Sequence, residues 1–346
     1  MEDMDDDMDE VLEFFELLLQ KPPIMLALNN TTDDQLAFLF IGIPGLEALH
    51  IWISIPFCFL YLMALMGNSI LLLLVRSEQS LHEPQFYFLA MLAITDLGLS
   101  LSTLPTVLGT FWIGTHQIGL DGCLAQMFFI HALSSLESGI LVAMAFDRLV
   151  AICCPLSYSR ILTSRAIICL SGAAFIRGAV LLAPLPLFLR NFSFCRDNVL
   201  SHSYCYYPDL LTLACEDITF SSAYGLIFVL CTFAVDALFI IVSYLKILTT
   251  VLRLGASDRG LRSMHTCACH LCTVLIFYLP LISLAVLHRY AHGTPPLLYA
   301  TMSNAYLLLT PLLNPLVYSL KSRQIQVALQ KRLWIQRVTV GERTET

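Results

Sequence analysis

The sequence predicts an all-α membrane protein: a seven-transmembrane helix bundle followed by a short amphipathic C-terminal helix. Three observations predict it. The chain has 346 residues, of which 57% are hydrophobic and only 13% charged, against about 25% charged in soluble domains. Seven apolar segments, at 51–75, 85–108, 123–148, 164–187, 219–245, 268–288 and 297–320, each approach the ~20 residues a helix needs to cross the hydrocarbon. Lys and Arg gather in alternate links, as membrane topology requires.

Span one ends before Arg76. Arg148, Arg160 and Arg165 surround the link from span three to span four. Lys246, Arg253, Arg259 and Arg262 fill the link from five to six, and Lys321, Arg323, Lys331, Arg332, Arg337 and Arg343 follow span seven. Those segments are expected in the cytoplasm. The other side keeps Lys21, Arg190, Arg196 and Arg289, so the N-terminus is expected outside a multi-pass plasma-membrane protein. Spans four and six are the weakest, because Arg177, Pro184 and Pro280 interrupt them. Membrane helices tolerate proline where neighbours re-satisfy the freed carbonyl.

Three regions follow: a tail over 1–50, the helical domain over 51–320, and a cytoplasmic amphipathic helix and tail over 321–346. The net charge of −7 owes much to acidic residues crowding the first sixteen positions, from Glu2 to Glu16. Such runs are solvated and disordered. The next apolar patch, Leu17 to Leu28, is broken by Lys21, Pro22 and Pro23. It lacks a basic leader and a clear cleavage site, so span one is expected to serve as the uncleaved signal. In the C-terminal segment, Ile325, Ala328, Leu329 and Leu333 form one stripe with basic residues beside it, the pattern of a helix lying on membrane lipid.

Twelve cysteines divide by location. Cys58, Cys169, Cys231, Cys267, Cys269 and Cys272 lie in or near spans, where thiols are buried and unpaired. Cys153 and Cys154 sit on the cytoplasmic side, where disulfides rarely persist. Cys123, Cys195, Cys205 and Cys215 lie outside, and four cysteines permit three pairings. Glycosylation sequons at Asn29, Asn30 and Asn191 fall on the same side.

No enzyme signature is present. No glycine-rich phosphate loop follows a strand, and His265 and His270, five apart, make a poor metal pair. No nucleic-acid partner is indicated.

Several long motifs appear in order. Gly67-Asn68 lies in span one, and LHEPQFYFLAMLAITD runs from Leu81 to Asp96. MAFDRLVAICCPLSY, Met144 to Tyr158, closes span three, and Ser243-Tyr244 closes span five. HTCACHLCTVLIFYLP, His265 to Pro280, opens span six, and Asn314, Pro315 and Tyr318 mark span seven. From about Asn29 to Trp334 the chain resembles the rhodopsin-like G-protein-coupled receptors, and within them the olfactory receptors. SHSYCYYPDL (Ser201 to Leu210) and FIHALSSLES (Phe129 to Ser138) resemble the class I, fish-like branch. Two departures are the long acidic N-terminal extension and a tail after Lys321 without cysteine, which excludes palmitate there.

The resemblance implies an odorant receptor acting through a stimulatory, olfactory-type heterotrimeric G protein to raise cAMP. It also implies bridges Cys123–Cys205 and Cys195–Cys215, and hydrophilic acids as ligands. A ligand site is expected in the outer half of the bundle. His131 lies two turns below Cys123, with Ser134 and Ser135 at helical spacing. Arg289 ends span six, with Leu281 and Ala285 on its face. A guanidinium fork suits a carboxylate, so the expected ligand is a small organic acid. An interfacial arginine reaching water, and a histidine held by the bundle, are the alternatives. Pro208 and Ala285 depart from relatives in supplying no side-chain donor.

Asp96 and Glu137 are two acids at membrane depth. By resemblance they are co-ligands of a sodium ion acting as an allosteric modulator; otherwise one acid is protonated and shares a hydrogen bond. No other cofactor is expected. Asp236 and Arg177 are expected only to pair between helices. Asp147, Arg148, Tyr244, Asn314, Pro315 and Tyr318 are assigned by resemblance to activation and G-protein coupling. The rival classes are a transporter or channel, for which no internal repeat speaks, and a receptor-like chain that folds without signalling.

Overall fold

The computed structural model describes residues 37–43, 45–113, 116–195, 198–200, 203–254, 258–290 and 296–332. The acidic N-terminal run, Asn29, Asn30 and Leu333 lie outside the described residues, as does the side chain of Arg289.

Among the described residues, seven long helical segments stand where the apolar runs predict them. They are His50–Ser77 (span one), Pro84–Ile113 (two), Leu120–Cys153 (three), Ser164–Leu182 with Pro184–Arg190 (four), Thr219–Val229 with Leu230–Ala234 and Val235–Leu254 (five), Asp258–Tyr290 (six) and Pro296–Lys321 (seven). Spans one, two, four, five and six are individually long and apolar enough to cross a membrane. Span three is bent by 115° from the short link helix, 155–161, that follows it.

Span one shows how the pattern works. Ser54, Tyr61, Ala64, Asn68, Leu71 and Val75 are buried at spacings of three, four and seven. Trp52, Ile55, Phe59, Leu62, Met66, Ile70 and Leu73 are exposed on the other face. The exposed face is greasier than the buried one, which inverts a soluble helix and suits lipid.

The two prolines thought to weaken spans four and six act differently. Pro280 lies inside an unbroken helix. Pro184 begins a second helical piece, and Ala183 before it keeps helical angles and bonds to the Ala179 carbonyl at 2.9 Å. In span five a π turn, Leu230–Ala234, winds in a wider stretch. Buried positions there step by four and four, from Phe228 to Thr232 to Asp236, then by four, three and four to Ile240, Ser243 and Ile247. The wider turn keeps Asp236 on the inward face.

One end of the bundle carries a small sheet. Strand β1 (Ala37–Phe40) pairs antiparallel with β2 (His116–Gly119) and parallel with β3 (Val199–Leu200). At the opposite end a tail helix over 323–332 lays buried Ile325 and Ala328 against the bundle. Lys331 meets Glu78 of the first link at 2.7 Å.

Candidate functional site

The sheet end is built by the link between spans four and five. Cys123 at the start of span three is joined to Cys205, with Cα atoms 5.5 Å apart, and Cys195 to Cys215, 5.6 Å apart. Gln126, one turn below Cys123, accepts from the Cys205 backbone N–H at 3.0 Å and donates to the Ser102 carbonyl at 2.8 Å. A short loop helix, Tyr207–Leu213, then lies over the bundle. Its Tyr207 hydroxyl reaches Ser221 of span five at 2.6 Å. Gly225 makes room for that ring, since a Cβ there would come within 2.8 Å of it. Asp217 accepts the Thr219 N–H and hydroxyl at the start of span five, and these two donors hold its carboxyl below the usual range.

Beneath the loop helix is a cavity of about 270 Å³, lined among others by His131, Tyr206, Leu211, Gly225, Ala285 and His288. His131 Nδ1 lies 2.8 Å from the Met127 carbonyl. A carbonyl only accepts, so Nδ1 carries the proton and Nε2 is the acceptor of the neutral ring. Tyr206 stacks on His131 and meets His288 edge-on, at centroid distances of 6.0 and 6.2 Å. His288 Nδ1 is 2.7 Å from the Tyr299 hydroxyl, which donates to Asp209 of the loop helix at 3.3 Å.

Of the residues expected in the pocket, His131 and Ala285 line this cavity. Ser134 instead accepts from Tyr306 of span seven at 2.7 Å. Ser135 packs against Gly178 of span four, and Leu281 packs on a cluster containing Leu284 and Tyr306. Arg289 sits in the last turn of span six. His288 was missed, although Leu281, Ala285 and His288 follow the i, i+4, i+7 pattern of one helix face. Tyr206, Asp209 and Tyr299 carry no such local signal.

At mid-depth, Asn314 Nδ2 donates to Asp96 at 3.0 Å and stands 3.5 Å from Glu137. Asn68 donates to the Pro311 carbonyl at 2.8 Å. Buried Asp96 Oδ1, Glu137 Oε2, Asn314 Oδ1, Asn68 Oδ1 and Ser100 Oγ have no hydrogen-bond partner. Asp96, Glu137 and Asn314, which meet here, present two carboxylates and an amide oxygen with unused lone pairs, a hard donor set that fits a hard cation.

A second polar cluster ties four spans together. Arg177 of span four bonds both carboxylate oxygens of Asp236 at 2.6 Å. Ser138 of span three donates to Asp236 at 2.7 Å. Its single proton is thereby used, so the Tyr278 hydroxyl of span six donates to Ser138, 2.8 Å away.

At the end away from the sheet, Arg148 is bonded to Asp147 beside it and to Gln85 at 2.9 Å. Tyr158 donates to Asp147 at 2.7 Å. Tyr244 and His270 join spans five and six at 2.6 Å, and Tyr318 points to Met144 sulfur at 3.9 Å. A cavity of about 530 Å³ opens here, lined among others by Gln85, Met144, Arg148, His270, Tyr318 and Arg323.

A family profile described as olfactory receptor matches residues 57–336. Olfactory receptor 51F2 of Homo sapiens is 49% identical over 309 residues, 89% of this chain and 90% of that protein. Human olfactory receptor 51G1 is 46% identical over 89% of this chain and 96% of its own. The crystal structure of squid rhodopsin superposes with a TM-score of 0.67 at 16% identity, over 82% of this chain and 80% of that one; this likeness concerns the fold. The chain therefore belongs to the olfactory receptor family: it is a multi-pass membrane receptor of the G-protein-coupled class, and not an enzyme.

Proposed function

We propose that the sheet end faces the cell exterior, and that the 270 Å³ cavity beneath the loop helix binds a small organic acid. The observation that carries this reading is the cavity itself, roofed by a disulfide-held link and walled by His131 and His288. Arg289, at the end of span six, supplies the guanidinium fork for the carboxylate. Ligand binding shifts a two-state equilibrium. In the other state Arg148 leaves Asp147 and the opposite cavity admits a stimulatory, olfactory-type G protein, raising cAMP. Orientation rests on the Lys and Arg bias of the links toward the Arg148 end.

Asp96 and Glu137, with Asn314 supplying a further oxygen, would hold a sodium ion, which compensates the carboxylate charge. The residues themselves join spans two, three and seven at that point.

The test is a cAMP-reporter screen of hexanoic to nonanoic acids against the matching alcohols, on wild type, Arg289→Ala and Ala285→Phe. Acids are expected to outperform alcohols, Ala285→Phe to block the response by filling the cavity, and Arg289→Ala to abolish the acid response at normal surface expression. An alcohol-selective receptor, or an unchanged dose–response curve in both variants, overturns the reading.

A further inference from the structure

We infer that the groove between spans three and five, at the Arg148 end, is a docking site for an anionic phospholipid of the cytoplasmic leaflet, whose phosphate Lys246 holds. The inference rests on the orientation proposed above.

The groove encloses about 470 Å³, within the ~300–1,000 Å³ of small-molecule sites. Span three supplies Phe146, Leu149 and Val150, the link helix supplies Ile161, and span five supplies Lys246 and Thr249. Those span-three positions lie on the side of the helix opposite Met144, Asp147 and Arg148, which line the 530 Å³ cavity. The two cavities share no lining residue, so the groove is separate from the Arg148 site. Between the spans, Cys153 Sγ lies 3.3 Å from Thr250 Oγ1.

Two features identify the occupant. The first is the surface around the groove. Leu245, Leu248 and Leu252 of span five are exposed, as is Ile161 of the link helix. Large apolar side chains exposed along a membrane span face acyl chains. A chain from that surrounding lipid can enter the apolar lining without leaving hydrocarbon. The second feature is charge of one sign. Lys246 lines the groove, and among the described residues no Asp or Glu does. The Lys246 side chain is exposed, and none of the ion pairs among the described residues involves it. Arg253, also exposed, follows seven residues later on the same helix face. Arg160 adjoins Ile161 in the link helix.

Basic side chains bordering an apolar band mark headgroup depth and attract anionic lipid. Lys246 donates to the phosphate while the acyl chain lies along Leu149 and Val150. A zwitterionic headgroup also carries a phosphate. It would bring its own cation among Lys246, Arg160 and Arg253, with no carboxylate in the lining to receive it. A lysine that only reaches for the interface would show no such lipid preference.

The experiment is native mass spectrometry of the detergent-solubilised full chain, titrated with dioleoylphosphatidylserine or dioleoylphosphatidylcholine. Wild type should retain phosphatidylserine at the lower concentration. Lys246→Gln should weaken that retention about fivefold, from the ~1 kcal/mol that each basic residue contributes, and leave phosphatidylcholine unchanged. Thr249→Trp, at an exposed position, fills the groove and should reduce retention of both lipids. It carries the test if Lys246→Gln does not fold. Arg165→Gln, an exposed cation outside the lining, should change nothing. No preference in wild type, equal losses in Arg165→Gln and Lys246→Gln, or full retention in Thr249→Trp overturns the site. A cAMP response lost in Lys246→Gln with unchanged lipid retention assigns the groove to a protein partner and overturns the lipid. Orientation is scored separately: an N-terminal epitope reached by antibody only in permeabilised cells overturns the leaflet, whatever the titration gives.

Discussion

Arg177 and Asp236 face each other across spans four and five through two parallel hydrogen bonds of 2.6 Å. The Asp236 side chain is 5% exposed and that of Arg177 32%. A fork-to-fork pair of this geometry is what a buried charge requires. The π turn just before Asp236 and the Ser138–Tyr278 contact extend the pair into spans three and six.

Removing one member should therefore cost more than removing both. Arg177→Ala alone is expected to lose about 3–5 kcal/mol, because the buried Asp236 carboxylate is left uncompensated, and Asp236→Ala to lose less, because Arg177 is partly exposed. The double replacement Arg177→Met with Asp236→Leu should recover most of it. Thermal unfolding of detergent-solubilised receptor measures this. Additive losses in the double variant would show that the two side chains act independently.

Glu137 offers a second handle. If a sodium ion at Asp96 and Glu137 favours the inactive state, an agonist must lose apparent affinity when sodium rises. Replacing a large inert cation by sodium at constant ionic strength should weaken agonist potency in wild type. The effect should shrink in Glu137→Gln, which loses one charged donor yet keeps the amide able to bond Asn314. Equal sodium sensitivity in the two proteins would place the ion elsewhere.

The two bridges differ in what they close. Cys123–Cys205 spans 82 residues and ties the link to the bundle, whereas Cys195–Cys215 spans 20 within the link. Non-reducing peptide mapping should recover these pairs. Cys195→Ser with Cys215→Ser should cost roughly 3 kcal/mol by loop-closure entropy and leave a folded bundle. Loss of Cys123–Cys205 should release the roof of the cavity and abolish the ligand response. A map joining Cys123 to Cys195 would contradict this arrangement.

The sequence by itself determined the bundle. Span positions follow from local hydropathy, because a helix in lipid must satisfy its backbone internally and present apolar side chains outward. Those constraints are written in consecutive residues, so the seven segments were legible, as was the family, whose motifs are contiguous strings. His131 and Ala285 line the cavity beneath the loop helix, but helical spacing did not distinguish them from Ser134, Ser135 and Leu281. The tertiary structure alone decided what faces what. Ser134 and Ser135, at good spacing from His131, turn to Tyr306 and to Gly178. Asp236 finds Arg177 across 59 positions of sequence, because a π turn phases its helix. Asp209, Tyr299 and His288 meet only where the disulfide-held link folds back over spans six and seven. Helical spacing sets direction within one helix. Which helix receives that direction depends on rotation and packing of separate segments, and no run of neighbouring residues encodes that.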